Sequence, residues 1–591
     1  MSCAACSARV EGAVSKLDGV SECTVNLLTN SMTVESDLDP AKIIDAVVKA
    51  GYKAKVVTKS SVKNATEDEK KTIKHIILRL VISAAISVPL MVIAMSMKYP
   101  YLQMVLSLAV MGVNGRFFVS GTKGLIHLSP NMDTLVSLGS LSSFIYSMAL
   151  LLTGMEHKGL YFDSAAMILT LITVGKLLEA ISKGHTTNAI KSLSALAPDK
   201  ATVVRRGKEL SVPIEEVVVG DIYLVKEGDS FPVDGRVVFG EGLVDESALT
   251  GESILVDKKV GDPVYTSTIN IKGTLKCEAT EVGEDTFLSK VIKMVTDASA
   301  TKAPIARLAD TVSGIFVPSV ILVAIVTFTI WMLLGKDVGF SLGRAISVLV
   351  VSCPCALGLA TPVAIMVGNG VAAKAGILFK NAAALEHASE SEVVILDKTG
   401  TITKGDLING DSLKDDSQEA IAKLKAAGLR LIMLTGDNEE TALRIAKEAG
   451  IDEVVSKVLP GGKEEVVSGI MNENKKVMMV GDGVNDAVAL TRADVGVAIG
   501  SGKDVAIDSA DVVLMKNSLM DVIKLIRISK ATLRKIKINL FFAFLYNVLL
   551  IPVAAGVFEF AGISLNPMLC ALAMSLSSFI VVTNSLFISS K

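Results

Sequence analysis

Eight apolar runs set the first limit on what this chain can fold into. They lie near residues 73–97, 100–119, 134–153, 160–181, 312–334, 343–368, 538–558 and 566–588. Each is long enough, or nearly so, to cross a bilayer. In lipid a backbone must satisfy its polar groups within the segment, so runs of this length read as helices. Half of the 591 residues are hydrophobic, which agrees with much of the chain sitting in lipid. An even number of spans puts both termini on one side. Lys70, Lys71 and Lys74 flank the first run, and the two large polar segments follow runs four and six. That pattern agrees with cytosolic termini and cytosolic soluble segments in an integral protein, expected in the plasma membrane. The first apolar run begins near Ile73, well inside the chain, and no cleavable signal peptide is read. A net charge of −2 gives no case for nucleic acid as a partner.

The segment after run six carries the chemistry. An apolar strand, Val393 to Leu396, ends in Asp397-Lys398-Thr399-Gly400-Thr401. An aspartate there is held still by its strand, and the next loop offers N–H groups to a phosphate. A carboxylate that accepts a phosphoryl group is an established form of covalent catalysis. A lone Asp would more often cap a turn, but the partners this chemistry needs follow in order. Thr435-Gly436-Asp437 closes a second apolar strand, Leu431 to Leu434, and its hydroxyl and amides can hold phosphate oxygens. Lys463 can neutralise phosphate charge. Gly481-Asp482-Gly483-Val484-Asn485-Asp486 follows a third strand, Lys476 to Val480. Asp482 and Asp486 are hard oxygen ligands suited to Mg2+ beside a phosphate. Strand-then-loop repeats alternating with helices predict a parallel α/β sheet with its site at the strand ends.

These motifs resemble the P-type ATPases, whose phosphorylation domain is haloacid-dehalogenase-like. The resemblance implies Asp397, Lys398, Thr399, Thr435, Asp437 and Lys463 as catalytic residues. It implies Asp482, Asn485 and Asp486 around Mg2+, and ATP as the family substrate. Between runs four and five, residues 185–305 show short alternating strands and the loop Thr250-Gly251-Glu252-Ser253. Alone this would be a common turn. By resemblance it is the dephosphorylation loop, with Glu252 positioning the attacking water. The family continues with Pro where this chain has Leu255, a change expected to have a small effect on a turn.

The metal side of the reading rests on cysteine spacing. Of seven cysteines, four form two close pairs, Cys3/Cys6 and Cys353/Cys355. That favours reduced, metal-binding thiols over a disulfide framework. Cys23, Cys277 and Cys570 are read as small buried side chains. Cys3-Ala4-Ala5-Cys6 opens a helix to Leu17, before strands near Ser21–Leu27 and Ser31–Ser36 and a helix from Pro40 to Ala50. Two thiolates at a helix start can grip one soft ion such as Cu(I). A lone CxxC equally suits a redox motif or half a zinc site. Met-Ser-Cys-Ala-Ala-Cys resembles the heavy-metal-associated domain of copper chaperones and pumps. That family places a strand ahead of the metal loop, and here the chain starts at the loop.

Cys353-Pro354-Cys355 lies in run six. A proline there removes a backbone bond and bends the helix, and broken helices mark transport sites. Two packing cysteines on a kinked helix are the plain alternative. The CPC spacing ahead of a phosphorylation loop resembles the heavy-metal subgroup of P-type ATPases. Tyr546-Asn547 in run seven, and Met574 and Ser578 one turn apart in run eight, resemble the copper(I) members. Thioether and thiolate suit Cu(I) over Zn2+. Zinc and cadmium pumps would show a membrane Lys and Asp, and runs seven and eight contain neither. Resemblance also suggests Met132, Glu179 and Asp310 along the ion's path, although Glu179 and Asp310 could equally be helix-end charges. A cytosolic copper chaperone is implied as the donor.

One expected part is missing. The family inserts a nucleotide-binding domain between the DKTGT and TGD loops, but only residues 402–434 separate them here. No His-Pro dipeptide occurs in the chain, and no glycine-rich ATP loop in that interval. The excision maps to about Gly405–Gly410, a surface loop whose loss can spare the host.

The fold class expected is therefore a multidomain membrane protein. It combines an eight-helix transmembrane α bundle, a β-rich actuator domain, a haloacid-dehalogenase-like α/β phosphorylation domain and an incomplete ferredoxin-like α+β metal-binding domain. The expected boundaries are 1–57 for the metal-binding domain, 58–72 for a linker and 73–184 for helices one to four. The actuator takes 185–305, helices five and six 306–372, the phosphorylation domain 373–530 and helices seven and eight 531–591. The function expected is copper(I) transport out of the cytosol through an aspartyl phosphate, with weak or absent ATP turnover. The alternatives are a zinc or cadmium pump, and a non-pumping membrane metal-binding protein with residual phosphatase activity.

Overall fold

The computed structural model describes the chain except residues 1–3, 27–30, 57–60, 97–98, 127–129, 157–158, 187–197, 206, 248–254, 354, 406–410, 483–485, 501–508 and 589–591. Side chains are also outside the description at 4–6, 8, 22, 26, 61–70, 182–186, 300, 355 and 460. The chain divides into two compact units: Met1–Thr186 with Pro304–Ala364 and Lys535–Phe587, and Thr187–Ala303 with Ile365–Arg534 and Ile588–Lys591.

In the first unit, the N-terminal segment forms a two-stranded antiparallel sheet, Val20–Asn26 against Ser31–Ser36. Helices Ala4–Val14 and Pro40–Lys49 accompany it. Val10, Val14, Val25 and Val47 make its core. The second helix starts where it does for a local reason. Asp39 accepts the Ala41 N–H at 2.9 Å, and Pro40 fills the first turn, where no donor is needed.

Among the described residues, seven helices are long and apolar enough to cross a membrane. An eighth arises if the pair Pro100–Val113 and Gly115–Ile126, bent by 70°, counts as one span. This bend departs from the single run expected over 100–119, and its causes can be named. Asn114, fully buried at the bend, donates to the Ser83 hydroxyl at 2.8 Å and to the Val110 carbonyl at 3.0 Å. Its carbonyl oxygen accepts from Thr173 at 3.3 Å and Arg79 at 3.4 Å. Beyond the bend, helix Met132–Leu152 takes hold. The Ser137 hydroxyl donates to the Phe117 carbonyl at 2.9 Å, and the Thr134 hydroxyl to the Gly121 carbonyl at 3.0 Å. A β-carbon on Gly121 would lie 2.6 Å from the Asp133 carbonyl oxygen, so only glycine permits this approach. Run six is two helices, Val338–Val351 and Cys355–Lys374, with the break at the Cys-Pro-Cys stretch.

The second unit holds two sheet systems. Residues 200–281 form a six-stranded antiparallel sheet beside a three-stranded one, closed around Tyr223, Phe231, Val233 and Leu275. The other is a seven-stranded sheet made of β1 (Ile377–Phe379), β2 (Val393–Asp397), β3 (Arg430–Leu434), β4 (Glu453–Val455), β5 (Val477–Gly481), β6 (Val495–Ile499) and β7 (Val512–Leu514). Its order is β1-β7-β6-β5-β2-β3-β4, parallel except for β1. Strands β2, β5 and β6 are buried along their whole length, because helices cover both faces and every side chain must be apolar or paired. The chain runs outward from β2 to β4, then returns on β2's other side at β5. The strand ends at this reversal are where α/β sheets bind ligands.

Candidate functional site

Asp397 is the last residue of β2, at that reversal, with its neighbours β3 and β5 ending beside it. The next loop turns sharply through Gly400, whose φ of +73° favours glycine. Lys463 opens the helix Lys463–Met471, and its ammonium lies 2.6 Å from Asp397 Oδ1 and 2.5 Å from Asp486 Oδ1. All three residues are buried. Burial, and next to it the charge of Asp486, pushes the Asp397 carboxyl up to about 6, with Lys463 opposing the rise. Burial alone would lower the Lys463 amine, but Asp397 and Asp486 outweigh it and hold the amine above its ordinary value.

One carboxylate oxygen here is left for a cation. Asp486 Oδ2 is buried without a hydrogen-bond partner, and Asp482 stands beside the loop, its carboxylate 3.9 Å from where a Gly400 β-carbon would be. Glycine at 481 is required too, since a β-carbon there would meet Asp486 Oδ2 at 2.4 Å. Among the described residues no three His, Cys, Asp or Glu side chains converge into a ready-made cage. Mg2+ needs none, because it binds through one or two carboxylates and completes its shell with phosphate and water. The donor set fits Mg2+.

The other predicted residues fall into three groups. Lys398, also buried, is held between Asp411 at 2.7 Å and Asp437 at 2.8 Å, so the Asp437 carboxylate faces Lys398. Thr435 is buried at the end of β3, its hydroxyl accepting the Asp437 N–H at 3.2 Å. Thr399 lies on the loop with non-helical dihedrals. In the membrane helices, Cys353, Met574 and Met132 are buried in one apolar cluster, with Tyr546 packed against it. The Tyr546 hydroxyl donates to the Val351 carbonyl at the break in run six. Asn547 is buried with its Oδ1 unpartnered, and Ser578 is buried one turn beyond Met574. Glu179 pairs with Lys176 at 3.4 Å and is mostly shielded, while Asp310 is half-buried. Cys3, Glu252 and Asn485 lie outside the described residues, as do the side chains of Cys6 and Cys355.

One expectation needs correction. Reduced thiols were expected in the two close pairs, yet Cys353 is disulfide-bonded. Cys23, Cys277 and Cys570 are buried and outside any disulfide, in line with the reading of them as packing residues.

Sequence reasoning missed Lys414, Asp411 and Asn517. Lys414 donates to the Gly400 carbonyl and to Asn517 Oδ1, both at 2.6 Å. Burial pushes its amine down to about 8, against the pull of Asp416 and Asp482. Asp411 accepts the Gly405 N–H at 3.0 Å, and the Lys404 N–H donates to the Ser412 carbonyl at 2.9 Å. Residues 404–405 and 411–412 thus form a clasp around the short link between them. No short motif announces these residues, because their partners are distant in sequence or set by the link.

Three sequence profiles match the chain: a heavy-metal-associated domain over residues 1–53, a P-type ATPase actuator domain over 195–296 and a haloacid dehalogenase-like hydrolase over 404–494. A copper-exporting P-type ATPase of Staphylococcus epidermidis is 38% identical over 716 residues, covering 99% of this chain and 89% of that protein. One from Staphylococcus aureus strain Newman is 37% identical, covering 99% and 88%. A match over 716 positions against 591 residues leaves at least 125 positions (716 less 591) with no residue of this chain. The solved structure of a zinc-transporting PIB-type ATPase in its E2.Pi state is similar at 25% identity, with a TM-score of 0.48, over 85% of this chain and 99% of that one. At such identity along nearly its whole length, the chain belongs to the P-type ATPases, in the family of the copper-exporting members.

Proposed function

We propose that this chain carries copper(I) through a site built on Cys353, Cys355, Tyr546, Asn547, Met574 and Ser578, driven by phosphorylation of Asp397. The observation that carries the reading is the Lys463 ammonium bridging Asp397 and Asp486 at the reversal of the sheet. A carboxylate oxygen of Asp397 attacks the donor's phosphorus. The bond from phosphorus to the leaving oxygen breaks, and its electron pair leaves with the donor remnant. Lys463 and Thr435 take the phosphoryl oxygens. Mg2+, held by Asp482 and Asp486, would neutralise phosphoryl charge when bound. Water then attacks phosphorus, the Asp397 oxygen leaves, and Glu252 takes the water's proton, returning Asp397 as carboxylate.

The thiolates and thioether of the membrane set are soft, which favours Cu(I) over Zn2+. Cys3 and Cys6 would receive copper from a cytosolic chaperone, and Met132, Glu179 and Asp310 would mark its path out of the cytosol. The donor is the second question. The link of residues 406–410 is far shorter than a domain, and at least 125 positions of the relatives have no counterpart here. This supports a small phosphodonor such as acetyl phosphate over ATP, and keeps a non-pumping protein with phosphatase activity as the second reading.

The test is acid-stable label on purified protein with Mg2+ and Cu(I), from ATP or from acetyl phosphate, with Asp397→Asn as control. Copper-dependent label from acetyl phosphate alone is expected. Label that persists in Asp397→Asn removes Asp397 from the scheme. Equal copper uptake into vesicles by parent and mutant leaves the non-pumping reading. Stimulation by Zn2+ or Cd2+ in place of Cu(I) overturns the metal assignment.

A further inference from the structure

Besides Lys463 and Lys398, the α/β domain holds a third buried ammonium, Lys414, that the scheme above leaves unused. Lys414 is 7% exposed, yet it is followed by Asp415 and Asp416 in a stretch that would suit a solvated turn. Its backbone N–H donates to the Ile402 carbonyl at 3.0 Å, and Ser417 Oγ donates to the same carbonyl at 2.7 Å. The segment is therefore fastened to the loop that follows Asp397. The side chain goes further, with Nζ 2.6 Å from both the Gly400 carbonyl and Asn517 Oδ1. A buried ammonium is costly unless paired and hydrogen-bonded, and methionine would fill the same space without that cost. What the lysine adds is a charged donor aimed at a carbonyl. That carbonyl belongs to the one residue of the 398–402 loop with positive φ, and the Asp482 carboxylate lies 3.9 Å from where a Gly400 β-carbon would be. Gly400 thus meets both the amine and the carboxylate expected to bind Mg2+.

We propose that Lys414 is a positioning residue for phosphoryl transfer: its anchor on the Gly400 carbonyl fixes the left-handed turn that lets Asp397 and Asp482 act on one Mg2+-phosphoryl unit. Asn517 holds the amine in place. The inference rests on Asp397 being the phosphoryl acceptor.

The test uses the full chain in detergent, with Mg2+ titrated in the presence of beryllium fluoride, a phosphoryl mimic that binds aspartate. Thermal stability reads the response. Losing a charged hydrogen bond to the loop should raise the Mg2+ half-saturation of Lys414→Met by about tenfold or more. Lys414→Arg keeps the charged donor and should return it to within about threefold of the parent. A purely structural lysine would lower the melting temperature of the unliganded protein and leave half-saturation unmoved, and that result overturns the proposal. If Lys414→Met fails to fold, Asn517→Ala carries the same test, and an unshifted half-saturation there overturns it too. If Asp397→Asn abolishes the response while Lys414→Met matches the parent, the proposal alone falls. If Asp397→Asn responds like the parent, the assignment of Asp397 falls and takes the proposal with it.

Discussion

Replacing Lys463 with methionine removes the one cation between two buried carboxylates. Its ammonium lies 2.6 Å from Asp397 and 2.5 Å from Asp486, which are 5% and 1% exposed. Leaving both charges unpaired would cost about 3–5 kcal/mol, so one carboxyl takes up a proton instead. Asp397, already at about 6, is the group placed to do so. Losing an opposite charge at this range raises the carboxyl further, typically by about a hundredfold in its proton affinity. At pH 7 the ionised fraction then falls from about nine-tenths to about one-tenth. Label from acetyl phosphate should drop about tenfold from ionisation alone, with a further loss from missing phosphate neutralisation. The ionisation part has a signature, because it returns as pH rises towards about 9, whereas the parent loses label as pH falls through about 6. The linkage to stability has the opposite sense. The folded value of Asp397 lies above the ordinary 3.8, so the fold favours the acid form, and that contribution disappears as pH rises through about 6. The assay is acid-stable label with Mg2+ from about pH 6 to about pH 9 for parent, Lys463→Met and Lys463→Arg. A Lys463→Met profile with the parent's shape at lower amplitude would refute the ionisation argument.

Three further outcomes follow from the structure. Asn114→Ala should cost about 1–2 kcal/mol in detergent melting, since one buried amide ties the bent pair to Ser83, Arg79 and Thr173; an unchanged melting temperature would show that the bend is held by Gly121 and the Ser137 and Thr134 hydroxyls. Cys353→Ser in the reduced protein should weaken Cu(I) binding at least about tenfold against a competing chelator, because a hydroxyl is a hard ligand, and unchanged binding would remove Cys353 from the ion's site. Placing the nucleotide domain of a relative between Gly405 and Asp411 should restore label from ATP without loss of label from acetyl phosphate, and failure of a well-folded chimera would place the defect elsewhere.

What could be read from sequence follows from how local the cause is. Strands β2, β3 and β5 stand out as short apolar runs ending in Asp, Thr-Gly-Asp or Gly-Asp-Gly, and the structure puts them within a residue of where those runs lie. The bend at Asn114 was invisible, because hydropathy averages over one polar residue and the groups that pull the second half aside sit on another helix. Lys414 was hidden for a like reason. Beside Asp415 and Asp416 it looks solvated, and only Asn517, 103 residues later, shows that it is buried and bonded. Asp437 was legible as part of a motif, but its grip on Lys398 was not, since that pairing crosses from β3 to the loop after β2.

The clasp at residues 404–405 and 411–412 has a mechanical consequence. Asp411 stands at one end of the clasp and, through a 2.7 Å ion pair, grips Lys398, the residue next to Asp397. A rigid body hung on the two strand ends would work as a lever whose short arm is that single ion pair. A swing that drew Asp411 away would leave Lys398 to Asp437 alone and slacken the loop under the phosphoryl acceptor, and the return stroke would tighten it.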